Sequence, residues 1–418
     1  YTSISGIKER GILLYAIFGF TFLVGAYISS KAKIPRFRRF PKINSLRYLI
    51  LLSIISGALG LFCFLYSYNF AINQYFFSIF NLSRIDRLSI LSRSNNALPY
   101  SIFFIPSVIA ILISLKNIDF KKFNSYLIIT FISIILNIPI LISYILEGDR
   151  TALLKLLTVI FFTLTLEKKR SKSSLERKFL IKDFKINKEI LIKRIKLTII
   201  FVLLIISLII IGLGRANGWR NSSNIIYNIK TQLELRLLPT SEFRAVNYTI
   251  DFVQARPYLT FEKSKDIFTW NKMIFYPLPT YVYKRLFNKN KPLNIGDTIG
   301  LETKNYVYGK EKNTKLGFGL SPIAEGYFNF GLLGIGFIGF IYGISIGILQ
   351  NYYNKITLNQ INILDLIILN SISIVPLMMR SGTAGIYNWI FSTSFILFVI
   401  IFLIEFSIKS YNKIKDIS

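Results

Sequence analysis

The chain has 418 residues, 52% of them hydrophobic and 15% aromatic, with a mean hydropathy of +0.49, 17% charged residues and a formal charge of +30. Soluble domains average about 25% charged residues, and here the apolar residues gather into blocks long enough to cross a bilayer, which excludes an ordinary soluble enzyme. One cysteine, Cys63, excludes an internal disulfide framework, and the absence of histidine argues against zinc and serine–histidine chemistry.

Apolar runs stand at 11–29, 48–69, 100–115, 125–146, 151–166, 197–213, 331–350, 362–379 and 389–407. Most match the ~20 residues that a ~30 Å hydrocarbon core requires, although 100–115 and 151–166 are short. The fold class read from this pattern is an all-α polytopic membrane protein, a multi-span helical bundle with one large outer loop. Six visible spans fall in 1–213, the loop in 214–320 and the last three spans in 321–418. The chain opens on Tyr1 and not on Met, so the native start is expected upstream, with room for further spans there.

Basic residues orient the spans. Segment 31–47 carries seven Lys/Arg and no acid, and segment 167–196 carries twelve Lys/Arg against four Asp/Glu. Placing both in the cytoplasm lets the spans alternate without forcing any of them, and leaves 214–320 outside. The cytoplasmic charge then serves topology and contact with anionic headgroups. No nucleic-acid recognition motif accompanies it, so nucleic acid is not expected as a partner. The outer loop still holds 17 Lys/Arg against eight Asp/Glu, which the orientation rule does not require. That excess suggests an anionic ligand, with a solvated surface as the plainer alternative.

Charged groups gather at the expected outer face. Glu147, Gly148, Asp149 and Arg150 make a very short turn between the fourth and fifth spans, and Lys155 lies roughly 7 Å deeper at 1.5 Å per residue. An ionised group at that depth needs water, a partner or a ligand, unless the lysine snorkels outward. Arg215 and Arg220 follow the sixth span, and Arg244 and Arg256 lie on the loop.

The loop is rich in aromatic and aliphatic residues and is expected to fold. After Pro239, TSEFRAVNYTIDFV reads as a helix capped by Thr240 or Ser241. Phe243, Val246, Ile250 and Val253 form its apolar face, with Arg244, Asn247 and Asp251 on another. It is expected either to rest on the membrane or to pack in the loop. Pro277, Pro279 and Pro292 then preclude one continuous helix.

SPIAEGYFNFGLLGIGFIGFIYG closes the loop and enters the seventh span, with Ser321 as cap and Pro322 in the first turn. Gly339, Gly343 and Gly347 repeat at spacing four, a seam for close helix packing or, less simply, a groove for substrate. Arg380 stands at the outer end of the eighth span.

Arginines gathered at this level suit a phosphate or pyrophosphate, because guanidinium pairs bidentately with phosphate oxygens and stays charged. Interfacial arginines also commonly anchor spans, so each alone is weak. Neither a nucleotide-binding glycine loop nor an Asp-x-Asp pair is present, so no cofactor and no metal are expected. Acid–base work falls to Asp, Glu, Tyr or Lys. Glu325, beside Tyr327 at a helix start, is the first candidate; its alternative is to stabilise that helix N-terminus through the dipole. Glu147, Asp149 and Glu242 are weaker ones. The candidate catalytic set is Glu325, Arg150 and Arg380, and the candidate substrate-binding set is Arg215, Arg244, Arg256, Lys155, Asp149 and Tyr327.

Three short places carry a family resemblance: the turn Gly148-Asp149-Arg150-Thr151, the proline-rich stretch from Pro277 to Lys291-Pro292, and Ser321-Pro322, Glu325, Asn329-Phe330-Gly331 and Gly334 before a glycine-rich span. With them the chain resembles the bacterial Wzy-type oligosaccharide repeat-unit polymerases of O-antigen and capsule. The resemblance implies a GT-C-like glycosyltransferase in the bacterial inner membrane, with its site facing the periplasm or cell exterior. It would act in lipopolysaccharide or other polysaccharide biosynthesis, taking undecaprenyl-pyrophosphate-linked oligosaccharides as donor and acceptor. Membrane lipids and a chain-length regulator are the further partners implied. Rivals are an O-antigen ligase and a polysaccharide flippase or transporter. Ligases of that family typically carry a functional histidine that this chain lacks, and transporters often show paired halves not visible here.

Overall fold

The computed structural model describes residues 4–32, 46–68, 70–75, 100–118, 125–147, 150–166, 246–251, 254, 280–289, 321–358, 361–378 and 382–415. These are mostly helical: α1 Ile4–Lys31, α2 Leu46–Ser67, α3 Ser101–Asn117, α4 Ser125–Glu147, α5 Arg150–Thr165, α6 Thr280–Phe287, α7 Pro322–Tyr353, α8 Ile363–Ile372 and α9 Thr383–Lys415. Among the described residues, five helices are long and apolar enough to cross a membrane, those at Arg10–Lys31, Leu46–Ser67, Ser125–Ile145, Pro322–Tyr353 and Gly385–Ile408. The expected spans at 100–115, 151–166 and 362–379 are shorter apolar helices, and 197–213 lies outside the described residues. Exposed side chains such as Phe20, Leu23, Phe131, Ile135, Leu333, Phe395 and Phe402 clothe these helices as lipid-facing surface would.

The chain divides into two compact units, one made of Tyr1–Phe40, Glu234–Lys355 and Ile363–Leu403, the other of Pro41–Leu233, Ile356–Asn362 and Ile404–Ser418. In the second unit α2, α3, α4 and α5 form an up-and-down bundle. Gly60 of α2 meets Phe103 and Phe104 of α3, while Ser107 further along α3 donates to the Ser53 carbonyl at 2.8 Å, so these two helices are antiparallel. Arg47 pairs with Tyr126, Ser53 with Ser133 and Gly60 with Ile140, so α2 and α4 run parallel. Lys116, at the end of α3, donates to the carbonyls of Thr163, Leu164 and Leu166 at the end of α5, so α3 and α5 are parallel too. That lysine satisfies terminal carbonyls that have no partner within the helix.

The bundle is closed by two kinds of contact. Asn137 bridges α4 to Ser107 at 2.9 Å, and Ser53 and Ser133 share a hydrogen bond; all four side chains are buried. Interhelical hydrogen bonds of this kind register helices where lipid offers no hydrophobic drive. At the other end of α2, Phe64, Tyr75, Tyr100, Phe104 and Tyr144 pack mostly edge to face, with centroids 5.3–5.7 Å apart, and Tyr75 bonds Ser143.

The first unit is organised by the pairing of α1 with α7. Gly339 faces Phe18 and Thr21, Gly343 faces Phe22 and Ala26, and Gly347 faces Ala26 and Ser29. Contacts that advance together along both chains make the two helices parallel, and Asn351 completes the seam by donating to the Ser29 carbonyl at 2.7 Å. The spacing-four glycines are therefore a packing seam. Strict alternation of nine spans would give the first and seventh the same direction, and these two helices share one.

The eighth apolar run departs from a continuous span. Helix α8 stops at Ile372, the chain tightens through hydrogen bonds from Ser373 to Asn370 and from Ile374 to Ser371, and a 3₁₀ turn follows at Val375–Leu377. Pro376 has no N–H to continue an α-helix, and its ring crowds the carbonyl four residues back. Asn370 donates to Thr393, fastening α8 to α9.

Orientation gives a direct test. In a Cys63→Ser background, a cysteine replacing Lys284 is expected to react with a membrane-impermeant thiol reagent applied to intact cells, and one replacing Lys185 is expected to react only after lysis. Labelling of the Lys185 position from outside would reverse the assignment.

Candidate functional site

The segment from Ser321 to Gly334 holds the most specific sequence motif, and its local geometry explains the motif. Ser321 has extended backbone (φ −77, ψ 157), and its hydroxyl accepts from the Ala324 N–H at 3.2 Å, with Pro322 opening the helix. The expected cap is thus present. The helix does not run on into the span, however. Phe330 (φ −143, ψ 19) and Gly331 (φ 63, ψ −142) leave helical geometry, and the long apolar stretch resumes after them. The Gly331 conformation is one that only glycine adopts without strain.

The break turns the chain sharply back on itself. A Cβ placed on Gly334 would lie 2.0 Å from the Gly326 carbonyl oxygen, and one on Gly326 would lie 2.7 Å from the Gly334 oxygen. In an unbroken helix, residues eight apart would be ~12 Å from each other. Residues 322–329 therefore fold against the start of the following span, and Gly326, Gly331 and Gly334 are each required by that reversal. Asn329 donates to the Glu325 carbonyl at 2.8 Å, so its side chain closes onto the short helix it ends.

Glu325 is 1% exposed. Sequence reasoning expected a group near the membrane surface, with its own helix N-terminus as the alternative partner. Glu325 does stand in the first turn of its helix, and its side chain reaches the start of α9: one carboxylate oxygen accepts from the Thr383 backbone N–H at 2.6 Å and the other from the Thr383 hydroxyl at 2.5 Å. The reason lies at Gly382, whose carbonyl accepts from Ile386 and which therefore occupies the cap position. Glycine offers no side chain to the first amides of α9, and the carboxylate of a distant residue takes that place. An anion at a helix N-terminus, bound by an N–H and a hydroxyl, is a charge-assisted arrangement that offsets desolvation.

A short helical segment at 246–251 belongs to the same unit. Residues 246–251 are helical, with Val246 and Ile250 on the expected apolar face and buried; Asn247 and Thr249 are buried as well, so more than one face is covered. Asp251 pairs with Arg10 of α1 at 3.1 Å, and Gln254 donates to the Tyr327 hydroxyl at 3.0 Å. The loop is thereby tied to α1 and to the short helix bearing Glu325. These residues are therefore held against α1 and the short helix. Helix α6 ends at Asn288 in the left-handed conformation (φ 49), between the prolines that the sequence reading took as breaks.

The structure joins Glu325 to Thr383 and Tyr327 to Gln254, two separate pairs on one short helix. Lys155 lies half-buried on α5, in the other unit. Arg150 is the first residue of α5, but its side chain is outside the described residues, as are Asp149, Arg215, Arg244, Arg256, Arg380 and Glu242 altogether. Sequence reasoning missed Arg10, Gln254 and Thr383. Only Thr383 carried a local signal, a Gly-Thr pair just ahead of an apolar run, which marks a helix start but not its partner.

Chemically, the short helix carries a buried carboxylate held by Thr383 and, two residues on, a partly exposed phenol held by Gln254. Among the described residues, no three His, Cys, Asp or Glu side chains come together as a metal site. No protein-family model, curated protein or solved structure matches the chain.

Proposed function

We propose that the chain is a membrane glycosyltransferase that polymerises undecaprenyl-pyrophosphate-linked oligosaccharide repeat units into O-antigen or capsular polysaccharide. In this reading it has a GT-C-like architecture and works at the periplasmic face of the bacterial inner membrane. One observation carries most weight: an oriented, buried acid, Glu325, sits on a helix that folds back at the end of a long apolar helix, with Gln254 of the segment after residue 246 bonded to Tyr327 on that same helix. A lipid-linked sugar presents its reacting hydroxyl at such a boundary, with the polyprenyl chain in the bilayer and the glycan outside.

In the proposed reaction an acceptor hydroxyl oxygen attacks the anomeric carbon of the donor glycan. The bond from that carbon to the pyrophosphate breaks, and its electron pair leaves with the lipid pyrophosphate. Glu325 orients the hydroxyl and takes its proton. Arg150 and Arg380, helped by Arg244, hold the pyrophosphate and stabilise the charge it gains, and Arg215, Arg256, Lys155, Asp149 and Tyr327 line the substrate path. Pyrophosphate is already a competent leaving group, so positioning and charge stabilisation suffice without a metal.

Reconstitution in liposomes with lipid-linked repeat units, followed by sizing of the glycans, tests the reading. A ladder of multiples is expected, and it is expected to persist in excess chelator. Units that remain at their original length would sink the polymerase. Transfer of glycan to a lipid A-like acceptor would favour the ligase, and movement across the bilayer without elongation would favour the transporter.

A further inference from the structure

We infer that Thr383 is a positioning residue of the proposed reaction, fixing the Glu325 carboxylate through two hydrogen bonds and so setting the direction from which that acid meets its substrate. The inference rests on the polymerase reading. It begins with an economy that the fold declines. A helix such as α9 is ordinarily capped by its own preceding residue, and serine, threonine or aspartate at 382 would serve. The chain has Gly382 there and brings a carboxylate from 58 positions away, buried to 1% exposure, on a helix that must reverse at Gly331 to reach it. Burying a carboxylate costs far more than placing a hydroxyl at the cap.

The geometry at Thr383 is also more specific than a cap requires. Capping needs a backbone N–H and an acceptor, and here the Thr383 side chain adds its own hydroxyl to the second oxygen. Two contacts from one residue, one on each oxygen, hold the carboxylate plane. The opposite end of the short helix is held as well, because Tyr327 accepts from Gln254 and Asn329 closes on the Glu325 carbonyl. An acid that must meet one hydroxyl of a bulky glycan gains from such fixation, since misplacement of a reacting group by about 1 Å can cost a hundredfold in rate.

The test compares the parent, Thr383→Val, Thr383→Ser and Glu325→Asp in liposomes with lipid-linked repeat units. Thr383→Val keeps shape and the backbone N–H while deleting the hydroxyl. It is expected to lower kcat about tenfold with KM within about twofold of the parent, and Thr383→Ser is expected to restore most of kcat. Glu325→Asp keeps the acid but draws it back from Thr383, and is expected to lose at least as much kcat. In a Glu325→Gln background, Thr383→Val is expected to add nothing further. A folded Thr383→Val protein with the parent's kcat, or losses that multiply in the double variant, would overturn the inference while the ladder made by the parent left the polymerase standing. If Thr383→Val cannot be recovered folded, Glu325→Asp decides, and parent-like kcat there overturns the inference. A parent that builds no ladder overturns the polymerase reading and this inference with it.

Discussion

Glu325→Gln is expected to slow polymerisation by about a hundredfold or more, the range over which a positioned general base acts. The substitution keeps the size of the side chain and one acceptor oxygen. Its amide can keep both contacts, with the oxygen accepting from the Thr383 N–H and the nitrogen donating to the Thr383 hydroxyl, which accepts as readily as it donates. The variant is therefore expected to lose rate while keeping most of the parent's thermal stability. Glu325→Ala removes the cap and the base together, leaves the Thr383 N–H without its acceptor in a site that is 1% exposed at a cost of about 1–3 kcal/mol, and is expected to lose both. If Arg150 holds the pyrophosphate as proposed, Arg150→Ala is expected to cost about ten- to a hundredfold in rate, with Arg150→Lys recovering only part because lysine lacks the planar fork. Parent-like rates in folded Glu325→Gln and Arg150→Ala proteins would remove the site assignment and leave the polymerase reading to the ladder experiment.

Gly343→Ala is expected to be strongly destabilising. Its new methyl would stand 2.0 Å from the Phe22 carbonyl oxygen and 2.8 Å from the Ala26 nitrogen, both backbone atoms that cannot turn aside. Helix α1 would have to move off α7, opening the seam that Gly339, Gly343 and Gly347 share with Phe18, Phe22, Ala26 and Ser29. Overpacking of this kind costs typically ~1–3 kcal/mol, and a rigid backbone neighbour places it at the upper end. Gly336 provides the control on the same helix, because a Cβ there meets only the Thr21 side-chain methyl at 3.5 Å. Gly336→Ala is expected to be neutral or to stabilise by up to about 1 kcal/mol through helix propensity. Melting of the two purified proteins in detergent measures the contrast. Equal stability in both would mean that α1 and α7 do not pack through this seam.

Much of the helical layout was legible before the fold was seen, because membrane helices are specified by local composition and length. The runs at 48–69, 125–146 and 389–407 correspond to α2, α4 and α9, and the serine–proline start at 321–322 was visible because a cap is a short-range pattern. Glu325 and Tyr327 were singled out from their place in that motif, and the structure sets them on one short helix with Gln254 and Thr383 beside them. Apolar runs do not record changes of direction, so the stop at Pro376 was hidden inside the run 362–379, and the reversal at Phe330–Gly331 lay at the edge of the run 331–350, where a boundary in hydropathy gives no angle. Partner choice was hidden for a different reason. The ties from Glu325 to Thr383 and from Arg10 to Asp251 join positions 58 and 241 apart, and which cation or amide meets a carboxylate at such separations is decided by packing. Composition and spacing suffice to read a helical membrane protein with an acid just ahead of a glycine-rich span. That this acid is buried and caps another helix emerges from the folded chain alone, because it depends on a backbone reversal that three glycines permit and helix packing completes.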